Sequence, residues 1–224
     1  MKKFLFIFSV FLLLMTLPSC SNSPVQSENN SPAEEQNDQP DEPVIELMPS
    51  KFADFFSAVV PAKTPAEATY YLEKAITVNG VTTSTITAAK NGVVLMISEV
   101  GGVKTVTVLK PESLTTIDVV NRTFTVTQQD EETYNAVLDS LECAKKYSGI
   151  EFTPSAYTVV DKDQYAEIAI INDTPHIFIF DDNYILKYIV YAQADGALVT
   201  EELFTFTSEV DNDMFVIPAD YTQI

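Results

Sequence analysis

The sequence predicts an α+β domain built on an antiparallel β-sheet and preceded by a disordered N-terminal tether. Three observations carry this prediction. Asn-Gly and Gly-Gly pairs recur about ten residues apart between runs rich in Val, Ile and Thr, which is typical of consecutive β-hairpins. Two segments, residues 50–60 and 131–147, carry apolar side chains at helical spacing. Residues 21–49 combine seven acids and five prolines with no aromatic residue, so this segment lacks the apolar surface that would order it.

The first 19 residues have the layout of a secretory signal. Lys2 and Lys3 precede an uncharged apolar run over residues 4–17, which is shorter than the about 20 residues that a membrane-spanning helix needs. The run ends at Leu-Pro-Ser-Cys, which resembles the lipobox of bacterial lipoproteins, where the cysteine is acylated and becomes the first residue. We therefore predict a lipoprotein signal peptide over residues 1–19 and lipid attachment, including palmitate, at Cys20. An ordinary signal peptide with a chance cysteine is the alternative.

Charge constrains the partners of the mature chain. The full chain has 13 basic and 32 acidic residues and a formal net charge of −19, which becomes −21 when Lys2 and Lys3 leave with the signal peptide. Such a surface repels phosphate, so we predict no nucleic-acid binding and no membrane binding through a basic patch. Since a basic patch is excluded, membrane attachment depends on the lipid at Cys20. Two or three acyl chains on this cysteine would hold the protein far more firmly than one. We expect an exported protein, anchored on the extracytoplasmic face of a bacterial membrane.

The chain divides into three predicted parts. Residues 1–19 are the signal peptide, residues 20–49 are the lipidated cysteine with a disordered acidic and proline-rich linker, and residues 50–224 form a single β-rich domain. The apolar density stays high throughout this last part, whose length of about 175 residues is ordinary for one domain with a substantial core. The linker is expected to hold the domain clear of the membrane and to leave it free to reorient.

A short amphipathic helix is predicted at the start of the domain. Ser50 is its expected N-cap, and Phe52 and Phe56 share its apolar face. Thr-Pro-Ala-Glu at residues 64–67 then matches a capping box with proline at the first helical position. This helical signal competes with a strand over residues 70–78, and we favour the strand because hairpin signals follow it.

Turn residues divide the middle of the domain into consecutive strands. Asn-Gly supplies the positive φ angles of a two-residue hairpin turn, so it is a strong local signal. The predicted strands lie at about residues 69–79, 81–90, 93–100 and 103–110, with a further pair turning at residues 121–122.

A second helix is predicted over residues 131–147, where apolar side chains recur at helical spacing. Cys143 lies near the border of this apolar stripe, so we interpret it as a small core or boundary residue rather than a redox or nucleophilic thiol. Strands resume after the helix, with turns at residues 181–183 and 194–196 and a closing strand over residues 214–218.

The late strands are apolar on both faces. In residues 177–180 and 184–191 both alternating faces carry apolar or aromatic side chains, which a sheet with one solvated face would not show. We infer that helices cover one face and that the other lines an enclosed or partly open cavity. A two-layer sandwich without a cavity explains the same pattern and stays open as the alternative.

The residue types give little support to catalysis or to a cofactor. His176 is the single histidine and lies in a strand-like run with no accompanying nucleophile motif. A usual zinc site needs three or four ligands of His or Cys type, and the mature chain cannot supply such a set. The Asp-rich turns at residues 161–163, 181–182 and 211–213 do not continue into a calcium-binding loop. We therefore predict that the protein is not an enzyme and has no metal and no cofactor.

The order of strands, the helix between them and the closing phrase resemble the LolA/LolB-like and LppX-like bacterial lipoprotein superfamily. The resemblance spans about residues 66–221 and includes Phe215, Ile217, Pro218 and Tyr221, which match a Phe-x-Ile-Pro-x-x-Tyr type of ending. It implies a curved antiparallel sheet that forms an open, half β-barrel covered by helices.

The same resemblance implies that a lipid, or the acyl chain of a lipoprotein, binds in the half-barrel cavity, in envelope lipid or lipoprotein handling or sensing. Apolar pockets of this kind gain affinity from buried area at about 25 cal/mol per Å². A protein-interaction module with a filled core and an envelope protein as partner is the alternative function. The candidate lining residues are apolar strand positions, namely Met96, Val106, Phe124, Phe178, Phe180 and Tyr188.

Overall fold

The computed structural model describes residues 50–159 and 162–224. The predicted signal peptide, the lipid site at Cys20 and the linker lie outside these residues and stay predictions. All described residues belong to one compact unit. Among them, no helix is both long and apolar enough to cross a membrane.

Helix α1, Lys51–Val59, opens the domain as predicted. The side chain of Ser50 caps it by accepting a hydrogen bond from the backbone N–H of Ala53. The predicted capping box also forms, at the start of a single 3-10 turn, where the Glu67 carboxylate accepts a hydrogen bond from the Thr64 N–H at 3.0 Å. The chain then enters the first strand directly, so the strand that we favoured over a helix is confirmed.

One sheet of twelve strands forms most of the domain. The strands are β1 Tyr70–Val78, β2 Val81–Lys90, β3 Val93–Val100, β4 Val103–Lys110, β5 Ser113–Asp118, β6 Thr123–Gln128, β7 Phe152–Val159, β8 Lys162–Ile171, β9 Thr174–Phe180, β10 Leu186–Ala192, β11 Leu198–Thr207 and β12 Thr222–Gln223. Their spatial order is β12-β6-β5-β4-β3-β2-β1-β11-β10-β9-β8-β7, so β12 and β7 are the two ends and the sheet is open.

The pairing confirms the predicted open antiparallel sheet. Neighbouring strands run antiparallel throughout, except that the two residues of β12 pair with β6 in parallel. The late strands continue the sheet of the early ones through the β1–β11 pair, instead of forming the second sheet of a sandwich. The wrapping of this sheet into a half-barrel stays a prediction.

Left-handed residues form the tight turns between the early strands. Asn79 and Gly80 have φ angles of 50° and 78°, and Asn91 and Gly92 have φ angles of 52° and 73°. Two successive positive φ angles are what a type I′ hairpin turn requires, so the predicted hairpins are confirmed here. A Cβ atom at Gly92 would also lie 2.9 Å from the hydroxyl oxygen of Tyr134, so a larger residue there would displace this side chain.

Helix α2, Glu131–Asp139, ends well before residue 147, so the second half of the predicted helix is wrong. The reason is a long-range contact of the backbone. The N–H of Ala144 donates to the carbonyl of Ala62 at 2.9 Å, which takes this segment out of the helical hydrogen-bond ladder. A short 3-10 turn follows, Ala144–Tyr147. Cys143 is buried, as the core interpretation predicted.

The predicted closing strand over residues 214–218 is also wrong. A 3-10 turn forms at Asn212–Phe215, where the Asp211 carboxylate accepts a hydrogen bond from the Asp213 N–H at 3.0 Å. Pro218 has no N–H to give to a ladder. The chain therefore joins the sheet only at β12, and its apolar residues pack on the sheet instead of extending it.

Both helices pack on one face of the sheet, and we call this cluster the helix-side core. It unites the first helix with strands from both halves of the sheet. Its buried members include Phe52, Phe56, Tyr70, Leu72, Ala89, Val94, Leu109, Tyr134, Val137, Leu138, Ala169, Phe178, Phe180, Leu186 and Leu203.

The opposite face is covered in a different way in each half of the sheet. The early half has the C-terminal cluster, in which residues after β11 pack on strand side chains; its members include Ala88, Leu95, Val108, Ile117, Val210, Met214, Phe215, Ile217 and Tyr221. The late half has the outer cluster, where strand side chains bury one another; its members include Tyr157, Ala166, Ile177, Ile179, Tyr188 and Val190. Both clusters explain why the late and early strands are apolar on two faces.

Candidate functional site

Helix α1 is attached to the sheet by aromatic rings. Phe52 is 2% exposed, and its ring centroid lies 4.5 Å from that of Phe178 and 4.7 Å from that of Phe152. Phe56, one turn later, packs edge-on against Phe206, with ring centroids 6.2 Å apart. The ring of Tyr147 also packs edge-on against Phe52, with ring centroids 4.7 Å apart. Aromatic pairs at these spacings add to the gain from burial, so this helix is held mainly by its two buried phenylalanines.

A buried carboxylate holds the N-terminus of α1. Glu167 of β8 is fully buried, and its two oxygens accept hydrogen bonds from the Lys51 N–H at 2.6 Å and from the Phe52 N–H at 3.0 Å. The hydroxyls of Ser50 and Tyr165 donate to the same carboxylate, each at 2.8 Å. We call this arrangement the Glu167 clasp. It satisfies the free N–H groups of the first turn and places negative charge at the positive end of the helix dipole.

The clasp matters because α1 is only nine residues long. Isolated helices shorter than about 12–15 residues are marginal in water. The position of α1 therefore depends on the tertiary contacts of Phe52, Phe56 and Glu167. Burial, then the hydrogen bond to the Glu167 carboxylate and the proximity of Tyr184, raise the pKa of Tyr165 to about 12. Tyr165 thus stays a hydrogen-bond donor at neutral pH.

A small cavity remains between α1 and the sheet. Its volume is about 20 Å³, which is enough for one water molecule and far below the about 300–1,000 Å³ of ordinary ligand pockets. The side chains of α1 and their aromatic neighbours fill the rest of this space. The lining combines Phe52, Phe56, Leu72, Leu186, Ile189, Leu203 and Phe206 with Lys74, Glu142, Tyr147 and Glu201.

The polar lining residues form two hydrogen-bonded groups. Lys74 of β1 and Glu201 of β11 make an ion pair at 2.6 Å, with side chains that are 20% and 12% exposed, and the Tyr191 hydroxyl donates to Glu201 at 3.2 Å. Glu142 accepts hydrogen bonds from Lys146 at 2.7 Å and from the Tyr147 hydroxyl at 2.8 Å. One edge of an otherwise apolar cavity is therefore charged: Glu142, Glu201 and Lys74 line it, and Lys146 pairs with Glu142 from outside the lining.

The pKa shifts of Glu142 and Tyr147 keep the charge states of this pair fixed. Burial raises the pKa of Glu142, but Lys146, Lys74 and Tyr147 together outweigh it, so the carboxyl pKa lies below its usual value. Burial and the neighbouring Glu142 raise the pKa of Tyr147 well above its usual value. Glu142 is thus ionised and Tyr147 protonated at neutral pH, as expected for a structural network.

The structure divides the six predicted lining residues between the clusters. Phe178 and Phe180 are in the helix-side core, and Met96 packs against it. The others lie elsewhere: Val106 and Phe124 in the C-terminal cluster and Tyr188 in the outer cluster. Only the first three therefore share a face with α1, and a lining role for them stays a prediction.

Sequence reasoning missed the two residues that organise this site. Glu167 interrupts the apolar run Ala-Glu-Ile-Ala-Ile-Ile of β8, and a single acid in such a run is the signal that could have marked it. Glu201 gives no comparable signal, because it stands beside a second glutamate near the middle of β11. His176 stacks on Tyr191 with ring centroids 4.5 Å apart, and its Nδ1 lies 3.0 Å from the Thr174 carbonyl oxygen.

Comparisons with known proteins give structural similarity alone. No family model matches the chain, and no curated protein matches it. A conserved uncharacterized protein from Thermus thermophilus is 7% identical, with a TM-score of 0.40 over 78% of this chain and 96% of that one. A LolA superfamily protein from Nitrosomonas europaea is 8% identical, with a TM-score of 0.32 over 74% and 96%. PNGF-II is 10% identical, with a TM-score of 0.29 over 69% and 30%.

One of these solved structures bears the name of the superfamily that the sequence resembles. At these identities and TM-scores, no residue role and no ligand is carried from those proteins to this chain.

Proposed function

We propose that this chain is a lipoprotein of the bacterial cell envelope that binds a hydrophobic ligand and catalyses no reaction. The ligand is a lipid or the acyl chain of another lipoprotein, and it occupies the sheet face that α1 now fills. The observation that carries this proposal is the way α1 is attached. A helix too short to be stable by itself lies on an apolar face through two phenylalanines and one clasp.

The energies of burial favour exchange of α1 for an acyl chain. Burial of one phenylalanine side chain contributes about 1.5–3 kcal/mol, so the two buried rings of α1, Phe52 and Phe56, together contribute about 3–6 kcal/mol. Burial contributes about 0.8 kcal/mol per methylene, so twelve methylenes of an acyl chain contribute roughly 10 kcal/mol. For an acyl chain that enters the site from water, this gain offsets the loss of both rings and part of the loss of the Glu167 clasp.

The anchor proposed at Cys20 defines where this binding takes place. Acylation of Cys20 fixes the protein to the extracytoplasmic face of a membrane, and residues 21–49 span the distance to the domain. Permanent anchorage fits a tethered acceptor, a lipid-handling protein or a sensor better than a soluble carrier. The ligand then comes from the membrane or from a neighbouring lipoprotein.

Recovery of a bound lipid tests this proposal. The chain is produced without residues 1–19 and with Cys20→Ser, so that any lipid in the preparation is bound without a covalent bond. We expect mass spectrometry of an organic extract to yield close to one lipid per chain, and we expect an apolar fluorophore to be displaced by added fatty acid. Absence of both a recovered lipid and saturable fluorophore binding would refute the proposal.

A protein-interaction module is the second candidate, and the cavity volume favours it. The cavity beneath α1 has a volume of only about 20 Å³, which is what a permanently filled core would leave. In this case α1 is a fixed part of the domain, and an envelope protein binds on its outer surface. The fluorophore experiment separates the two candidates, because a filled core gives no saturable site.

A further inference from the structure

The Glu167 clasp takes most of its hydrogen-bond donors from one end of α1. Among the described residues, three donors to this carboxylate lie at the start of the helix: the N–H groups of Lys51 and Phe52 and the hydroxyl of Ser50. The hydroxyl of Tyr165, on β8, is the fourth. Departure of α1, which the proposed function requires, therefore removes three donors at once and uncovers a carboxylate that is fully buried while α1 is attached.

The carboxylate of Glu167 then differs from the other acids of the α1 site. Lys74 pairs with Glu201 and Lys146 pairs with Glu142, so these ion pairs involve no residue of α1 and survive its departure. An ionised carboxylate only accepts hydrogen bonds, and an acyl chain beside it excludes part of the water that could donate to it. The polar end of the ligand is therefore expected at Glu167, where donors are missing.

An ammonium group already lies beside the clasp while α1 is attached. The Nζ atom of Lys51 lies 4.8 Å from the ring centroid of Tyr184, which is a cation–π distance. The ring of Tyr184 packs edge-on against that of Tyr165, with centroids 5.5 Å apart. Lys51 leaves with α1, whereas Tyr165 belongs to β8 and Tyr184 to the connection between β9 and β10. The sheet thus keeps one carboxylate and two aromatic rings together, and both kinds of group attract an ammonium ion.

We infer that this end of the α1 site binds the primary ammonium group of an acyl lipid, with Glu167 as the acceptor and Tyr184 as the cation–π partner. The inference rests on the function proposed above, in which the acyl chain takes the place of α1. A primary ammonium offers three N–H donors from one compact group, so it replaces the three donors that leave with the helix. A hydroxyl offers one donor, a quaternary ammonium offers none, and a carboxylate is repelled by Glu167.

Probes that share a dodecyl chain and differ in their polar end test the inference. Dodecylamine, dodecanol, dodecyltrimethylammonium and dodecanoate are titrated below their micelle concentrations into the chain without residues 1–19 and with Cys20→Ser, and displacement of an apolar fluorophore is followed. We expect dodecylamine to bind at least about tenfold more tightly than dodecanol or dodecyltrimethylammonium, since only dodecylamine combines positive charge with N–H donors. Dodecanoate is expected to bind most weakly, whereas a longer chain such as that of oleate still binds through its methylenes.

Glu167→Gln separates recognition of the ammonium from attachment of α1. Because loss of the clasp favours departure of α1 for every probe alike, the readout is the ratio of the dodecylamine and dodecanol affinities. We expect this ratio to fall close to one in Glu167→Gln. Glu151→Gln removes an exposed acid and is expected to leave the ratio unchanged. Tyr184→Leu is expected to lower the ratio by about two- to fivefold, through loss of the cation–π contact.

Two further ligands separate the natural sources of a primary ammonium. Lysophosphatidylethanolamine carries it on a phospholipid, and a peptide that begins with an S-lipidated cysteine and a free amine carries it on a lipoprotein terminus. We expect at least one of them to bind as tightly as dodecylamine or more tightly, and the tighter of the two identifies the source. If both bind less tightly than dodecanol, the inference is wrong.

Failure of this inference is distinguishable from failure of the proposed function. If none of the dodecyl probes displaces the fluorophore, the hydrophobic site is absent and both are wrong. If all of them bind with similar affinities, the hydrophobic site stands and the ammonium site is wrong. Equal binding of dodecylamine and dodecyltrimethylammonium, or a ratio that Glu167→Gln leaves unchanged, would assign the preference to the overall acidity of the chain and would also overturn the inference.

Discussion

The Glu167→Gln variant is expected to lose about 2 kcal/mol of unfolding free energy and to bind an apolar fluorophore up to about thirtyfold more tightly than wild type. Glutamine keeps the size of the side chain but removes its charge, and its amide nitrogen faces groups that donate to the carboxylate in the wild type. These donors are the N–H groups of Lys51 and Phe52 and the hydroxyls of Ser50 and Tyr165. The substitution therefore destabilises the state in which α1 is attached to the sheet, and not the state in which it is detached.

The link between stability and affinity follows from competition. If α1 must leave before the fluorophore binds, any loss of α1 attachment raises the fraction of open protein, and the apparent dissociation constant falls by the same factor. A change of 1.4 kcal/mol corresponds to tenfold, so about 2 kcal/mol corresponds to about thirtyfold. Urea unfolding and fluorophore titration measure the two quantities on the same samples.

Glu151→Gln is the matched control, because Glu151 is exposed and makes the same change of charge. We expect it to leave both quantities close to wild type. A Glu167→Gln variant that loses stability without gaining saturable fluorophore binding would contradict the competition and favour the filled-core interaction module.

Phe52→Ala is expected to lose about 3–5 kcal/mol of unfolding free energy. Phe52 is 2% exposed and contacts the rings of Phe56, Tyr147, Phe152 and Phe178, so its removal leaves a cavity that the surrounding rings fill only in part. Domains of this kind have a total stability of about 5–15 kcal/mol, so the loss is a large share of it. Chemical denaturation monitored by tyrosine fluorescence measures the change.

Phe204→Ala serves as the comparison for this variant. Phe204 is also a phenylalanine, but it is 52% exposed, and we expect its replacement to change the unfolding free energy by about 0.5 kcal/mol or less. If Phe52→Ala were as mild as this control, α1 would not be part of the helix-side core, and its proposed role in the site would be wrong.

Local signals predicted the local structure well. Asn79-Gly80 and Asn91-Gly92 define their hairpins because a type I′ turn needs positive φ angles at two adjacent positions, and few residue pairs adopt them. Ser50 caps α1 for an equally local reason, since its side chain reaches an N–H three residues ahead. Such features depend on a few neighbouring residues, so the sequence alone reveals them.

Contacts between distant residues explain what was missed. The second helix ends early because Ala144 bonds to Ala62, a residue 82 positions earlier. The Glu167 clasp joins residues about 115 positions apart, and nothing in the periodicity of either segment indicates it. The apolar excess on both sheet faces was correctly recognised, but hydrophobicity alone does not distinguish a face that receives a ligand from one that receives α1 or the C-terminal segment.

Hydrogen exchange of α1 tests the central claim most directly, namely that a hydrophobic ligand and α1 compete for one face of the sheet. The chain without residues 1–19 and with Cys20→Ser is labelled in deuterated water with and without saturating oleate, and exchange is followed by mass spectrometry. The account predicts that oleate accelerates exchange in Lys51–Val59 and slows it in β9 to β11. Bound oleate that leaves α1 as protected as before, or more so, would contradict it.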